Sequence, residues 1–106
     1  MIGFGNLGRA LRPLLAPFGG PVSVYDPWLP AGHLAEHGCR AVGLDEVLAG
    51  SQVLFVLAGV TTGNQGFLDR AVLERIRPGA AVVLISRAEV VDFDAFVALA
   101  EEGRFR

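Results

Sequence analysis

The chain has 106 residues, 52% of them hydrophobic and 19% charged, a composition typical of a globular protein that excludes a disordered chain. Its length allows one domain at most, and its net charge of −2 gives no electrostatic reason to expect nucleic acid or an anionic membrane as a partner. The single cysteine, Cys39, excludes an internal disulfide and fits a reducing cytoplasm, and the longest apolar run, 53–60, is far too short to cross a membrane.

The chain opens with two residues of a strand, Met1-Ile2, which lead into a string of the form G-x-G-x-x-G at 3–8. Apolar residues at helical spacing follow from Leu7 to Phe18, so a helix with one buried face is predicted there. Pro13 within this pattern predicts a kink or an early end, because proline removes a helical hydrogen bond.

Short strands and helices alternate along the rest of the chain. Gly38 is placed to end one helix in the left-handed conformation, and Asp69 and Asp92 are placed to cap two others. The strands at 52–57 and 81–85 show no alternation of polar and apolar residues, which indicates burial on both faces. The predicted strands are 22–26, 39–42, 52–57, 81–85 and the start of one at 104–106, and the predicted helices are 31–37, 44–49, 70–77 and 93–102.

The last of these helices is expected to bury one apolar face, formed by Phe93, Phe96, Val97 and Ala100.

This alternation predicts an α/β fold, a Rossmann-like doubly wound parallel sheet that is truncated in its first and last strands. The first strand lies at the centre of such a sheet. We expect that Met1-Ile2 cannot pair with neighbours on both sides, and that the chain on its own is marginally stable or aggregates.

The glycine string is typical of dinucleotide-binding folds, in which each glycine has its own role. Gly3 permits a tight turn out of the strand, Gly5 lets the backbone approach a pyrophosphate, and Gly8 lets helix and strand pack closely. Backbone amides around Asn6 and Leu7 would face the phosphates at the helix N-terminus, where the helix dipole favours negative charge.

Asp26 ends the second predicted strand, 18 residues after Gly8. A carboxylate at that position accepts hydrogen bonds from the adenosine ribose and repels the 2′-phosphate of NADP, so NAD is the expected cofactor. The alternative, a glycine turn followed by an unrelated surface aspartate, is less favoured because the helix, the second strand and the spacing all match.

Five blocks follow one another along the chain: Gly3-Phe4-Gly5-Asn6-Leu7-Gly8-Arg9, Val24-Tyr25-Asp26-Pro27, Leu44-Asp45-Glu46-Val47-Leu48, Arg77-Pro78-Gly79-Ala80 and Ser86-Arg87-Ala88-Glu89-Val90-Val91-Asp92. In this order they resemble the nucleotide-binding domain of the D-isomer-specific 2-hydroxyacid dehydrogenases, over the whole chain. Residues 1–106 are therefore expected to be a fragment of an NAD-binding domain. Most of the first strand, the substrate domain and the segment with the family's catalytic glutamate and histidine are expected to be absent.

The resemblance places the family's catalytic arginine at Arg87. A guanidinium there can hold the carboxylate of a 2-oxo acid and polarise its carbonyl. In the loop after the predicted strand at 52–57 only Thr61 matches the family pattern outright, although Asn64 can still donate a hydrogen bond. After the arginine, Ala88-Glu89 replace a common Gly-Gly pair. The positions that the resemblance assigns to cofactor contacts are Asn6, Leu7, Asp26, Ala58, Ile85 and Ser86.

The implied function is hydride transfer between NAD(H) and a small 2-hydroxy or 2-oxo acid, incomplete in this chain, in a protein expected to be a cytoplasmic homodimer. A non-catalytic module that binds NAD(H) for regulation or dimerisation is the alternative. Another Rossmann protein, such as an adenosylhomocysteine hydrolase, is disfavoured by the Arg87 block. His33 and His37 have a spacing that can bind metal, but no third ligand accompanies them, and no metal site is predicted.

Overall fold

A computed structural model describes residues 1–57, 68–85 and 91–105 of the chain. Helices and parallel strands alternate through these ranges, as the sequence predicts. None of the helices found there is long and apolar enough to span a membrane. The elements are α1 (Asn6–Leu15), a 3₁₀ turn (Ala16–Phe18), β1 (Ser23–Val24), α2 (Ala31–Glu36), β2 (Arg40–Ala41), α3 (Leu44–Gly50), β3 (Val53–Val56), α4 (Arg70–Leu73), β4 (Ala81–Leu84) and α5 (Phe93–Glu101).

The first three residues, called here the central segment (Met1–Gly3), join two pairs of strands into one parallel arrangement. β1 pairs with β2, and β3 pairs with β4, both in parallel. Ile2 forms parallel bridges with Tyr25 on one side and with Val56 on the other. The strand order is therefore β2-β1-central segment-β3-β4, the order of a Rossmann-like sheet.

The prediction that so short a first strand cannot pair on both sides is wrong. The amide of Ile2 donates to the carbonyl of Phe55 at 2.9 Å, and the amide of Gly3 donates to the carbonyl of Tyr25 at 3.0 Å. Successive residues of a strand direct their backbone groups to opposite sides. Three residues are therefore enough to bond both neighbours.

Two apolar clusters cover the two faces of the sheet. One contains Met1 and Val24 and packs against α1 and α2 through residues such as Leu11 and Leu34. The other contains Ile2, Leu54 and Val56, with residues of α3, α4 and α5. Because Met1 and Ile2 belong to different clusters, helices lie on both faces, as the doubly wound prediction requires.

The prediction that β3 and β4 are buried on both faces is confirmed only in part. Leu54 and Val56 are buried against α3–α5, but Val53 and Ile85 are each about half exposed, at 49% and 51%. Val83, which points to the same face, is 36% exposed. On this face Phe55 and Leu57 pack in the cluster of α1 and α2, so the cover reaches part of the β3 segment but leaves Val53, Val83 and Ile85 exposed.

The apolar stripe of α1 is only partly buried. Leu11 and Leu15 pack against the core, whereas Leu7, Leu14 and Phe18 are exposed. The helix ends at Leu15, and the 3₁₀ turn follows it, so the early end predicted from proline is found two residues after Pro13.

The last two helices differ from their predictions. α4 ends at Leu73 rather than at residue 77, because the amides of Arg75 and Ile76 bond three residues back and tighten the chain into turns. In α5 the buried residues are Ala95 and Leu99. Of the predicted face only Phe96 packs against the core, whereas Phe93, Val97 and Ala100 are exposed.

Both predicted aspartate caps are confirmed, since Asp69 accepts from the amide of Val72 at 3.0 Å and Asp92 accepts from the amide of Ala95 at 3.2 Å. We expect Asp92→Ala to lower the free energy of unfolding by about 1 kcal/mol, the usual cost of losing an N-cap. Urea denaturation measures the loss. Glu101→Ala, at the other end of α5, is the control and should cost nothing, because a carboxylate there opposes the helix dipole. Equal losses in the two variants would contradict the capping role.

Candidate functional site

The predicted site residues in the described ranges lie at the edge of the sheet where the parallel strands end. The central segment, β1, β3 and β4 all run in one direction. Gly3 ends the central segment, and Asp26, Leu57 and Ile85 follow the carboxyl ends of β1, β3 and β4. In open α/β sheets this edge forms the crevice in which ligands bind.

The glycine string forms the predicted tight turn from strand to helix. Gly3 has a φ of +90°, a conformation that residues with a side chain rarely adopt. Gly5 then serves as the N-cap of α1, with a φ of −89°, and Asn6 is the first helical residue. The string therefore directs the N-terminus of α1 towards the carboxyl edge of the sheet.

The N-terminus of α1 offers free space and positive potential to an anion. Among the described residues no side chain caps this terminus, and its first turn contains no acidic residue. A Cβ atom on Gly5 would meet no atom of these residues within 4 Å. The first amides of a helix lack partners within the helix, and they carry the positive end of its dipole. These features fit the pyrophosphate of a dinucleotide.

Close packing requires a glycine at position 8, although the group packed against it is not the predicted strand. A Cβ atom on Gly8 would lie 2.8 Å from Cδ1 of Phe4. The Phe4 ring is fully buried, at 1% exposure, so it has little room to move. The close contact is therefore between the helix and the phenyl ring of the glycine string itself, rather than between the helix and a strand.

Asp26 holds the glycine string in place. Its Oδ2 atom accepts a hydrogen bond from the amide of Phe4 at 2.9 Å, and its Oδ1 atom accepts one from the amide of Trp28 at 3.0 Å. A carboxylate oxygen can accept more than one hydrogen bond, so both atoms can still accept from a hydroxyl group. The structure thus brings together the glycines and the acid that the sequence places 18 residues apart.

The whole chain matches one known family. The profile described as D-isomer specific 2-hydroxyacid dehydrogenase, NAD binding domain, matches residues 1–106. The chain belongs to this family. NAD is the cofactor of these domains.

Solved structures and curated sequences agree with this family assignment. A phosphoglycerate oxidoreductase from Rhizobium etli is 44% identical with a TM-score of 0.89, and the match covers 98% of this NAD-binding domain and 31% of that chain. D-lactate dehydrogenase from Aquifex aeolicus, solved with NAD and lactic acid, is 28% identical with a TM-score of 0.87, covering 98% and 31%. D-3-phosphoglycerate dehydrogenase of Mycobacterium tuberculosis is 28% identical over 106 residues, which are 100% of this chain and 20% of the relative.

Two residues of this NAD-binding domain contribute to the site although they were not predicted as site residues. Phe4 supplies both the amide that donates a hydrogen bond to Asp26 and the ring that lies beneath Gly8. Arg9 donates from its guanidinium to the side-chain carbonyl of Asn6, which places a cation beside the first turn of α1. The sequence carries no signal for the role of Phe4, because a G-x-G-x-x-G pattern does not specify its first variable residue.

The other predicted site residues are distributed as follows. Ile85 follows β4, half exposed, with its amide donating to the carbonyl of Val56 at 3.1 Å. His33 and His37 contact each other, with ring centroids 5.0 Å apart. In the described parts of the chain no group of three or more His, Cys, Asp or Glu side chains is arranged to hold a metal ion. The predicted residues that lie outside the described residues are Ala58, Asn64, Ser86 and Arg87.

Proposed function

We propose that this domain serves an oxidoreductase that transfers hydride between NAD(H) and C2 of a small 2-hydroxy or 2-oxo acid. The observation that carries the proposal is the hydrogen bond from the Phe4 amide to Asp26, which fixes a carboxylate beside the glycine turn. The family match and the open N-terminus of α1 support the same proposal.

The roles proposed for the binding residues follow from their positions. The turn at Gly3 and the open backbone at Gly5 let the first amides of α1, at Asn6 and Leu7, bind the pyrophosphate. Gly8 keeps the helix close to the Phe4 ring, and Asp26 accepts from the ribose hydroxyls while it orients the string. Bound NAD supplies the hydride-transfer chemistry. Further cofactor contacts are proposed at Ala58, Asn64, Ile85 and Ser86.

Arg87 is proposed as the catalytic residue of this chain, on the basis of its place in the fifth sequence block. A planar guanidinium can bind the substrate carboxylate with two hydrogen bonds and polarise the neighbouring carbonyl. It thereby orients C2 of the substrate and stabilises the negative charge that develops on the carbonyl oxygen. A lysine cannot reproduce this geometry, because its ammonium group is a point charge.

The domain is proposed to act within a longer protein. It spans 20% of the length of the first curated relatives that it matches. Residues 1–106 are therefore proposed to be a part of an NAD-binding domain, with the substrate domain and a catalytic glutamate and histidine supplied elsewhere in the protein. A homodimer in the cytoplasm is proposed for that protein.

The experiment that tests the proposal is calorimetric titration of the protein with NADH and with NADPH. We expect NADH to bind at least about tenfold more tightly, which corresponds to roughly 1.4 kcal/mol, because Asp26 opposes the 2′-phosphate. Equal affinity for the two nucleotides would contradict the proposed role of Asp26.

The catalytic part of the proposal is tested in the longer protein by turnover of 2-oxo acids with NADH. Arg87→Lys should lower kcat/KM by about 100-fold or more, since it removes a group that stabilises the transition state, while NADH affinity should be unchanged. NADH binding without turnover of any 2-oxo acid in the unaltered protein would favour a regulatory module instead.

A further inference from the structure

Arg9 places a cation at the carboxyl edge of the sheet, although it lies outside the glycine string. It is the residue directly after the string, in the second turn of α1. Side chains of a helix lean towards its N-terminus, so a long side chain from the second turn can reach the first. The guanidinium of Arg9 does so, because it donates to the side-chain carbonyl of Asn6. A positive group therefore lies at the end of the helix that faces the crevice.

Most donors of this guanidinium have no partner among the described residues. A guanidinium has five N–H donors, and the bond to Asn6 is the only one that the Arg9 side chain forms in the described ranges. Arg40, Arg70 and Arg75 each pair with a carboxylate there. Arg9 pairs with none in the same ranges, so its charge is available to an anion.

The carboxylate of the site does not neutralise this charge. Asp26 accepts from the amide of Phe4, two residues before Asn6, yet the described residues show no ion pair between Asp26 and Arg9. Opposite charges that lie beside one turn without pairing fit two different groups of one ligand. Hydroxyl groups suit the carboxylate, and an anion suits the guanidinium. A dinucleotide offers both, since its ribose hydroxyls and its pyrophosphate belong to one molecule.

A cation beside the first turn of α1 is unfavourable for the helix itself. The N-terminus already carries the positive end of the helix dipole, so the guanidinium adds like charge, and the first turn has no acidic residue to offset it. The helix end is equivalent to about half a positive charge, whereas a pyrophosphate carries two negative charges. A bound pyrophosphate thus needs a further cation. A residue that breaks a local rule in this way is typical of a functional site.

We propose that Arg9 binds the pyrophosphate of NAD, and that Asn6 positions its guanidinium at the first turn of α1. A planar guanidinium can form two parallel hydrogen bonds with phosphate oxygens, and it adds the full positive charge that backbone amides lack. This proposal rests on the proposed function, because it concerns the same cofactor. It adds to that function a binding residue that the G-x-G-x-x-G pattern does not contain.

Calorimetric titration of the longer protein with NADH, ADP and adenosine tests the proposal in the variant Arg9→Gln. We expect NADH and ADP to bind about 10- to 100-fold more weakly than to the unaltered protein, the usual effect of losing a hydrogen bond to a charged group. Adenosine should bind equally well to both, because it has no phosphate. The melting temperature without nucleotide should not fall, since Arg9 opposes the helix dipole.

Arg75→Gln is the matched control. It removes the same charge after α4, where Arg75 pairs with Asp45 at 2.6 Å, and it should leave all three affinities unchanged. Arg9→Lys retains the charge but loses the planar geometry, so its NADH affinity should lie between those of Arg9→Gln and the unaltered protein. Added salt should weaken NADH binding more in the unaltered protein than in Arg9→Gln, because salt screens charges.

Three results would overturn the proposal, and they are distinguishable. Unchanged NADH affinity in Arg9→Gln, with NADH still preferred to NADPH, would remove Arg9 from the site and leave the proposed function standing. Equal losses for NADH and adenosine would show that Arg9 acts through the fold rather than on a phosphate. If the unaltered protein bound neither NADH nor NADPH, the proposed function and the role of Arg9 would fall together.

Discussion

Asp26→Ala is expected to weaken NADH binding by roughly 10- to 100-fold, because each hydrogen bond to a charged group contributes about 1.5–3 kcal/mol and 1.4 kcal/mol is a factor of ten. Two effects combine in this loss. The ribose hydroxyls lose their acceptor, and the amide of Phe4 loses the partner that now lies 2.9 Å away. Calorimetric titration with NADH measures the change directly.

The same substitution should also change which nucleotide the protein prefers. Without the carboxylate there is no repulsion of a 2′-phosphate, so the preference for NADH over NADPH should fall towards unity. Asp45→Ala provides the control, because Asp45 is an exposed carboxylate paired with Arg75 at 2.6 Å, on α3. It removes the same net charge and should leave both affinities unchanged. An unchanged NADH affinity in Asp26→Ala would refute the assignment of this residue.

A comparison with Asp26→Asn separates the two roles of the carboxylate. Asparagine retains one carbonyl oxygen, which can still accept from the amide of Phe4 or from that of Trp28, but it carries no charge. The melting temperature should therefore fall less in Asp26→Asn than in Asp26→Ala. The preference for NADH should be lost in both, since it depends on the charge.

The order of the elements and their ends could be predicted from the sequence because local chemistry determines them. Asp69 and Asp92 precede apolar patterns at helical spacing, and each caps a helix as expected. Gly38, predicted to end α2, has a φ of +74°. Such caps depend only on residues a few positions away, so the local sequence is enough to predict them.

Burial on the second face of the sheet could not be predicted in the same way. Val53, Val83 and Ile85 belong to apolar runs that are typical of strands covered on both sides. Whether a helix lies over that face depends on elements far along the chain, and the cluster of α1 and α2 reaches Phe55 and Leu57 but leaves these three side chains exposed. An apolar run shows which side chains a strand could bury, and the packing of the helices determines which of them it does bury.

For the burial of the strands the sequence predicts more than the structure shows, whereas for the pairing of the central segment it predicts less. Two residues before Gly3 were expected to be too few for the middle of a sheet, yet Met1, Ile2 and Gly3 bond both neighbours. Strand length limits how many ladder bonds form, whereas the alternation of backbone groups determines the sides on which they form. A prediction based on length alone misses the second effect.

The candidate site was predicted in its composition but not in its internal contacts. The glycine spacing and Asp26 indicated a dinucleotide site, and the structure places them together. That Phe4 joins them could not be inferred, because nothing in a G-x-G-x-x-G pattern specifies the first variable residue. Its contacts arise from the turn at Gly3, which places the amide of Phe4 near Asp26 and its ring beneath Gly8.

Alanine substitutions at Gly5 and Gly8 should separate binding from stability. Gly8→Ala should lower the free energy of unfolding by about 1–3 kcal/mol, the usual cost of overpacking a core. The added Cβ would lie 2.8 Å from Cδ1 of the buried Phe4 ring, so the ring or the helix must move. Chemical denaturation measures this loss.

Gly5→Ala should behave in the opposite way. Its Cβ would meet no atom within 4 Å in the parts of the chain that the structure describes, and a φ of −89° is accessible to alanine. The free energy of unfolding should therefore be unchanged to within about 0.5 kcal/mol. The methyl group would instead occupy the space through which the pyrophosphate approaches the first amides of α1. We expect NADH affinity to fall by at least about tenfold, or 1.4 kcal/mol.

Gly5→Ala and Gly8→Ala are each the control for the other, because the first should change NADH affinity and the second should change the free energy of unfolding. Phe4→Leu combined with Gly8→Ala should recover part of the lost stability, since a smaller side chain relieves the contact with the new Cβ. If Gly5→Ala bound NADH as tightly as the unaltered protein, the pyrophosphate could not lie against this turn. If Gly8→Ala were as stable as the unaltered protein, the Phe4 ring would not be the tight neighbour that limits residue 8 to glycine.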